Sequence, residues 1–394
     1  MTGADRTEDQ PGDRTAGQKA DRTVVITGLG VTSAFGRGEE ALARGLAASR
    51  AAFGPVGRFA TDRYRADVAA VLPGSPDLDE ELRRVVEEAC EQAGLSAAER
   101  AQAPLLLGRH TDPAVARGPL AVQGKSAISD TAAALARACG LLGAARTYTN
   151  ACVAASTAVS EAANRIRTGR EDRVVVSAGY LVDEDNFALF SAGRALSPEG
   201  VLRSFSAGRK GLLLGDGVGA VVLESAGAAA ARGARPLAVL SGWGMAGDAH
   251  HVCRPHPEGL GMARAIGAAL DRAGLAPSDI GYVNAHGTGT PANDSSESAA
   301  LRLALGDAVD STPVSSTKSL HGHSLEASGM LELAVTLLVL RTGELPVNAG
   351  HSGPDDDCRL DLVLGSPRRV SPRHVLSLNA AFGGANTALV VSAP

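Results

Sequence analysis

The sequence lacks several features that mark whole classes of protein. It has only five cysteines and no C-x-x-C pair, so neither a disulfide framework nor a zinc site is indicated. No apolar run approaches the roughly 20 residues that a membrane-spanning helix requires. The N-terminus also lacks the apolar segment of a signal peptide. We therefore expect a cytoplasmic protein without a membrane partner.

The charged residues lack the pattern of a nucleic-acid-binding protein. The 394 residues include 38 Lys and Arg against 43 Asp and Glu, a net charge of -5, with no long basic run and no basic-aromatic interleaving. With 44% hydrophobic residues, the chain is long enough to bury one large core or two fused ones. The composition predicts a globular protein without a nucleic-acid partner.

The chain divides into a polar tail and two rounds of alternating strands and helices. Residues 1–22 contain almost no bulky apolar side chain and cannot offset the entropy of ordering, which predicts a disordered tail. Short β-branched runs such as V-V-I-T-G-L-G then alternate with Ala-rich helical segments, and a second round begins near residue 236. We predict an α/β architecture with two halves, at residues 23–228 and 229–394.

Cys152 stands in the stretch T-N-A-C-V-A-A-S, where a predicted strand at 145–149 meets a predicted helix at 153–167. A thiol at a helix N-terminus is close to the positive end of the helix dipole, which favours the nucleophilic thiolate. Nucleophiles of other α/β enzymes occupy the same strand-turn-helix position. The alternative is a small buried packing residue, which is our interpretation of Cys90 and Cys139.

Two histidine-containing segments in the second half favour the catalytic interpretation of Cys152. N-A-H-G-T-G-T-P places His286 just beyond a predicted strand, and S-S-T-K-S-L-H-G-H supplies Lys318, His321 and His323. A single histidine at such a position is more often a hydrogen-bonding group than a catalyst. Metal binding by the three histidines is the competing interpretation, although acidic or Cys co-ligands at the usual spacing are missing.

Several ordered motifs resemble those of β-ketoacyl-acyl carrier protein synthases of the elongating, Cys-His-His type, which have the thiolase fold. The matching segments extend over nearly everything after residue 22: V-V-I-T-G-L-G-V-T-S, N-A-C, S-A-G-R-A-L-S, L-L-L-G-D-G-V-G-A-V-V-L-E, Y-V-N-A-H-G-T-G-T-P, S-S-T-K-S-L-H-G-H and F-G-G-A-N. The resemblance implies two similar α/β halves in a layered αβαβα core. The first half would carry the nucleophile and the second the histidines.

The resemblance implies a catalytic role for five residues. Cys152 would accept an acyl group from a carrier-protein thioester. His286 and His323 would bind the malonyl thioester carbonyl through their N–H groups and stabilise the enolate formed as carbon dioxide leaves. Lys318 and Glu332 match a supporting buried ion pair, since a buried ammonium without a counter-ion is costly.

The resemblance also implies how the substrate is held. The backbone N–H groups of Cys152 and Phe382 match an oxyanion hole, and Phe382 also matches an aromatic gate. Thr288 and Thr290 match hydroxyls that hold the phosphopantetheine arm. The implied partners are an acyl carrier protein and a second subunit, in a homodimer or in a heterodimer with a ketosynthase-like chain-length factor. Neither step calls for a metal or an organic cofactor.

Departures from the family pattern indicate a specialised synthase of polyketide or fatty-acid-like biosynthesis. Glu326 replaces a glycine beside the active-site turn, and His321 stands where Thr is common. The gating segment R-S-F-S-A-G-R-K-G has lost both aspartates, and Arg254 stands near the expected pantetheine channel. The region 108–145 is shorter than expected by about twenty residues, a comparison that rests on the family's usual length.

Two other functions remain open on the sequence. A synthase-fold acyltransferase would load Cys152 but pass the chain to an alcohol, amine or thiol without decarboxylation. A non-catalytic chain-length partner would shape the pocket of another subunit, but such partners usually lack the cysteine.

Overall fold

The computed structural model describes residues 22–110 and 128–394. Residues 1–21 of the predicted disordered tail lie outside the described residues. Residues 111–127 of the shortened region lie outside them as well. Across the described residues, no helix combines the length and the apolar character needed to cross a membrane.

The strands and helices are numbered here along the chain. The strands are β1 (Val24–Ser33), β2 (Gly36–Arg37), β3 (Phe53–Pro55), β4 (Val68–Ala70), β5 (Pro104–Gly108), β6 (Gly143–Tyr148), β7 (Arg173–Tyr180), β8 (Gly217–Ser225), β9 (Ala238–Gly247), β10 (Tyr282–Asn284), β11 (Pro313–Ser315), β12 (Glu344–Leu345), β13 (Asp361–Leu362), β14 (Arg368–Arg369), β15 (His374–Ala381) and β16 (Ala385–Ser392). The α-helices are α1 (Glu39–Ala47), α2 (Leu78–Gln92), α3 (Ala97–Arg100), α4 (Ile128–Ala138), α5 (Ala154–Arg167), α6 (Glu184–Ala192), α7 (Ala226–Ala231), α8 (Leu260–Ala273), α9 (Pro291–Leu305), α10 (Lys318–His321) and α11 (Ser328–Thr342).

The large sheet contains the same strand arrangement twice. Its order is β13-β11-β10-β15-β16-β9-β1-β8-β7-β5-β6, with β2 attached to β1. In the first half, β1, β8 and β7 pair antiparallel, and β7, β5 and β6 pair parallel. In the second half, β9, β16 and β15 pair antiparallel, and β15, β10 and β11 pair parallel. The halves join where β1 pairs with β9.

Helices form layers on both faces of these two half-sheets. Helix α2 packs on β1, β7 and β8, and α8 packs on β9 and β16. Between the half-sheets, α5 and α11 contact each other, while α5 also packs on β7 and α11 on β15. Helix α11 is buried from Ser328 to Val339, as expected for a helix that is apolar on all sides. The predicted αβαβα core of two similar halves is confirmed, while the boundary at residues 228 and 229 stays a prediction.

Glycines allow a helix to pack directly on the first strand of each half. An added Cβ at Gly30 on β1 would lie 2.0 Å from the carbonyl oxygen of Val85. An added Cβ at Gly244 on β9 would lie 1.9 Å from that of Ala265. Any side chain there would push the helix off the sheet. The same G-x-G pattern in both first strands therefore serves the same packing in both halves.

Candidate active site

Cys152 lies in the turn that joins β6 to α5. One 3₁₀ turn, Ala151–Val153, precedes α5, and the thiol-bearing residue is buried. Ala151 has a φ of 53°, a left-handed conformation that costs a non-glycine residue about 1–3 kcal/mol. The strand-turn-helix position is confirmed, with the strand at Gly143–Tyr148 rather than at 145–149. Cys90 and Cys139 are buried in a packed cluster, as predicted.

The protonation of Cys152 differs from the expectation drawn from the helix dipole. Burial raises the pKa of the thiol to about 12, and the charge of Glu326 raises it further, whereas Lys318 and a backbone hydrogen bond lower it. Desolvation acts against the full thiolate charge, while the helix terminus supplies only about half a charge. Burial therefore outweighs the effect of the helix dipole, which favours the thiolate. Cys152 is a thiol at neutral pH.

His286 lies just beyond β10 and is fixed through its backbone. Its N–H and that of Gly287 donate to the Glu297 carboxylate, at 2.6 and 2.7 Å. Burial lowers the pKa of His286 well below its ordinary value, and the charges of Lys318 and His323 lower it further. The ring is therefore an uncharged imidazole. No hydrogen-bond partner for its Nδ1 occurs among the described residues.

Asp294 and Glu297 hold the loop that carries His286. The Asp294 carboxylate accepts hydrogen bonds from the backbone N–H groups of Phe205, at 2.7 Å, and Gly289, at 3.1 Å. The Glu297 carboxylate accepts those of His286 and Gly287. Burial raises the pKa of Asp294 to about 6 and that of Glu297 to about 7, although the donated backbone hydrogen bonds oppose this. Both carboxylates accept hydrogen bonds from backbone donors of the loop and its neighbours, and so they order the loop.

His323 faces His286 across the site. The two ring centroids lie 5.4 Å apart with the planes at 85°. The Nδ1 atom of His323 lies 2.8 Å from the Ser328 hydroxyl at the start of α11, which orients the ring. Burial lowers the pKa of His323 well below its ordinary value, followed by the charges of Lys318 and His321. The site thus contains two adjacent neutral imidazoles, which can donate N–H groups.

Lys318 and Glu332 form the buried ion pair that the sequence predicted. Both side chains are 0% exposed and in direct contact, and Asn379 on β15 also donates to Glu332. Burial raises the pKa of Glu332, although the ammonium of Lys318 opposes this. The Lys318 charge also lowers the pKa of Cys152 and of both facing histidines. The Lys318 charge thus acts on the candidate nucleophile, on both facing histidines and on Glu332.

The three residues predicted to hold the substrate differ in exposure: Phe382 is exposed, Thr290 is half-buried and Thr288 is buried. Phe382 occupies the turn between β15 and β16, is 53% exposed and stacks on Phe190 of α6 with the centroids 5.8 Å apart. Gly383 follows with a φ of 91°, which only glycine adopts readily. The hydroxyls of Thr288 and Thr290 lie 2.9 Å apart.

His321 is buried next to the site but bonds to its own turn. Its Nε2 lies 3.0 Å from the Thr317 hydroxyl and its Nδ1 lies 3.0 Å from the Gly322 carbonyl oxygen. Burial, followed by the Lys318 charge, lowers the pKa of His321 to about 3. The described residues contain no group of three or more His, Cys, Asp or Glu side chains that could bind a metal ion.

Sequence reasoning missed the partners of Glu326. His110 Nδ1 donates to the Glu326 carboxylate over 3.2 Å, and Asn186 Nδ2 lies 3.4 Å from His110 Nε2. Burial alone would lower the pKa of His110, but the hydrogen bond to Glu326 and its charge raise it overall. One signal was available: His110 stands two residues beyond a short buried strand, as His286 does.

Known proteins share both the sequence and the fold of this chain. Family models of the β-ketoacyl synthase N-terminal and C-terminal domains match residues 82–229 and 237–351. Nodulation protein E of Rhizobium meliloti is 35% identical over 399 residues, which cover 94% of this chain and 98% of that protein. The chain belongs to the β-ketoacyl synthase family.

Two further β-ketoacyl synthase relatives extend over the same length. The putative polyketide beta-ketoacyl synthase 1 of Streptomyces halstedii is 34% identical over 417 residues, covering 95% of this chain and 98% of that protein. The solved structure of the ishigamide ketosynthase/chain length factor is 32% identical with a TM-score of 0.86, covering 95% of this chain and 100% of that one. The predicted family, thiolase fold and acyltransferase class are confirmed.

Proposed function

We propose that this β-ketoacyl synthase condenses an acyl group on Cys152 with a malonyl carrier protein, releasing carbon dioxide, in polyketide or specialised fatty-acid biosynthesis. The observation that carries the proposal is a buried thiol at a helix start beside a site that holds two neutral, facing histidines. The buried ion pair of Lys318 and Glu332 and the family membership support it.

Loading of Cys152 starts from the thiol. The sulfur attacks the carbonyl carbon of an acyl carrier-protein thioester, and the thiol proton passes to the departing pantetheine sulfur. One thioester bond forms as another breaks, so the step needs no further reactant. The N–H groups of Cys152 and Phe382 would stabilise the oxyanion, and the N-terminus of α5 would add its positive potential.

Condensation would take place between His286 and His323. Since both rings are uncharged, each can donate an N–H to the malonyl thioester oxygen as that oxygen gains enolate charge. Breakage of the carboxylate C–C bond releases carbon dioxide and leaves the enolate. The enolate carbon then attacks the acyl carbon on Cys152, and the sulfur leaves as a thiolate that takes up a proton from solvent. The product is a β-ketoacyl carrier protein two carbons longer, and no step as written consumes a metal or organic cofactor.

The Lys318–Glu332 pair would act by its charge and its rigidity. The ammonium opposes protonation of the two histidines and keeps them as N–H donors, while the carboxylate compensates its buried charge. Asn379 ties the pair to β15, the strand that leads into the Phe382 turn. The pair is a positioning element for the reacting groups rather than a proton donor.

Carrier-protein binding would use the exposed side of the site. Thr288 and Thr290 would hold the pantetheine arm, and Phe382 would move as Cys152 becomes acylated. A second subunit, a copy of this chain or a chain-length factor, would pair with the outer edge of β6. That edge has no partner strand among the described residues, and unpaired edges favour strand addition. The location in the cytoplasm stays a prediction.

The test is intact-protein mass spectrometry of the wild type and Cys152→Ala. Each is incubated with a panel of acyl carrier proteins and then with malonyl carrier protein. We expect the wild type alone to gain an acyl mass and to lose it as a β-ketoacyl carrier protein two carbons longer forms. Acylation without any consumption of malonyl carrier protein would instead favour the acyltransferase. Absence of acylation from every donor, with or without a chain-length-factor subunit, would contradict both.

A further inference from the structure

The two halves place different side chains at equivalent positions around the site. Cys152 is the middle residue of the 3₁₀ turn before α5, and Glu326 is the middle residue of the 3₁₀ turn before α11. The residue before Cys152 has a φ of 53° and the residue before Glu326 has a φ of 41°. The two turns contact each other. Glu326 is therefore the counterpart of the nucleophile in the second half.

His110 and His286 form a second equivalent set. His286 stands two residues beyond β10, which lies between β15 and β11 in the sheet. His110 stands two residues beyond β5, which lies between the equivalent strands β7 and β6 of the first half. His110 bonds to Glu326 at 3.2 Å. The Glu326 and His110 side chains are 8% and 23% exposed. This second pair thus lies beside the catalytic turn and is largely removed from water.

Helix α6 connects the Glu326–His110 pair to Phe382 in the exposed turn between β15 and β16. Asn186 in its first turn lies 3.4 Å from His110 Nε2 and is held by a 2.8 Å hydrogen bond to Asp183. Phe190, four residues later and so on the same face of the helix, stacks on Phe382. Contacts thus run from Phe382 through α6 and His110 to Glu326, whose turn contacts the turn of Cys152.

A cavity lies against His110. Its volume is about 750 Å³, and its lining includes Arg58, Leu72, Pro73, His110, Leu181 and Val182. His110 is the member of the pair that faces it. Because Glu326 lies in the turn that contacts the Cys152 turn and His110 lines the cavity, the pair lies between the nucleophile and the cavity.

We propose that the Glu326–His110 pair closes the inner end of the acyl pocket and restricts this enzyme to short acyl groups, in the range of acetyl to butyryl. The proposal rests on the proposed acylation of Cys152. A longer apolar chain would have to separate the two side chains, leaving a desolvated carboxylate and imidazole without their hydrogen bond, which is unfavourable. The pair is therefore a specificity determinant and not part of the reacting centre.

The test compares acyl chain lengths in matched variants. The wild type, Glu326→Ala, His110→Ala and the size-matched control Glu326→Gln are loaded from butyryl and octanoyl carrier protein, with acyl-Cys152 measured by mass spectrometry. We expect the octanoyl-to-butyryl rate ratio to rise about tenfold or more in both Ala variants and to stay near the wild-type ratio in Glu326→Gln. A general loss of structure would lower both rates and leave the ratio unchanged.

A second measurement separates this proposal from the proposed function. Cys152 is alkylated with iodoacetamide and with N-octyl iodoacetamide, and labelling is read at the Cys152 peptide, because Cys253 is exposed and also reacts. We expect the rate of Cys152 labelling by N-octyl iodoacetamide, relative to the rate with iodoacetamide, to rise in the two Ala variants only. That gain without acylation from any carrier protein would contradict the proposed function and support the closed pocket. Equal octanoyl and butyryl loading by the wild type, or an unchanged ratio in folded Ala variants, would overturn the closed pocket.

Discussion

The two halves of the molecule share a strand order but differ in what they bury at equivalent positions. The turn before α5 presents the Cys152 thiol, whereas the turn before α11 presents the Glu326 carboxylate. Beyond β10, the second half presents the uncharged His286. Beyond the equivalent strand β5, the first half presents His110, whose pKa is raised by Glu326 against the effect of burial. Topology thus determines where a side chain can enter the site, and residue type determines its chemistry.

The halves also differ in how they compensate a buried carboxylate. In the second half, Glu332 pairs with the fully buried Lys318. In the first half, Glu224 is 0% exposed but pairs with Arg173 and also with Arg232, just beyond the predicted boundary; these arginines are 9% and 13% exposed. A carboxylate with two cations tolerates the loss of one better than a carboxylate with a single cation.

Removal of Lys318, the cation that pairs with Glu332, should give the largest loss of stability. We expect Lys318→Ala to lower the free energy of unfolding by about 3–5 kcal/mol, because Glu332 is left buried without its counter-ion. Arg232→Ala is the matched control and should cost about 1 kcal/mol, since Arg173 and Thr27 still bond to Glu224. Urea unfolding monitored by circular dichroism measures both. Equal costs would contradict the contrast between the halves.

The packing of the first strands should give an intermediate effect. We expect Gly244→Ala to cost about 1–3 kcal/mol, because its Cβ would meet the backbone of α8. Gly30→Ala should have a similar cost, because its Cβ would meet the backbone of α2. Gly267→Ala, on α8 with open space around the new Cβ, should instead stabilise by about 0.5–1 kcal/mol. Thermal unfolding of the three variants checks the order; a neutral Gly244→Ala would show that the close packing is absent.

The Glu326–His110 pair should give the smallest effect, and one that depends on pH. The pKa of His110 is raised in the folded state, so its stabilisation is complete below the unfolded pKa of about 6.5 and is lost as the pH rises through the folded pKa. We expect the stability difference between the wild type and Glu326→Gln to be about 1 kcal/mol or less and larger near pH 5.5 than near pH 8.5. A difference that grows with pH would contradict the pairing.

The fold and the grouping of the candidate site residues were largely predictable from the sequence. The β-branched runs and the G-x-G patterns mark the strands, since buried strands and close helix packing limit the residue types allowed. Cys152, His286, His323 and Lys318 lie in ordered local motifs, and the structure brings the segments that carry them together at the junction of the halves.

The electrostatics and the long-range partners were not predictable. The helix dipole can be inferred from a local pattern. The burial that raises the pKa of Cys152 depends on the tertiary packing, and the charge of Glu326, which raises this pKa further, comes from a residue far along the chain. In the same way, Glu326 was noticed as an unusual residue, whereas its partner His110 is 216 positions away. The predictions on residues 1–21 and 111–127 concern parts of the chain outside the described residues.

The central claim is that Cys152 and the histidine pair serve separate steps, and a single-turnover experiment tests it most directly. Acyl-enzyme formation and carbon dioxide release from malonyl carrier protein are measured in the wild type, Cys152→Ala and His323→Ala. We predict that Cys152→Ala forms no acyl-enzyme, whereas His323→Ala loads Cys152 normally but releases carbon dioxide about 10²–10³ times more slowly. Carbon dioxide release at the wild-type rate in His323→Ala would contradict the account.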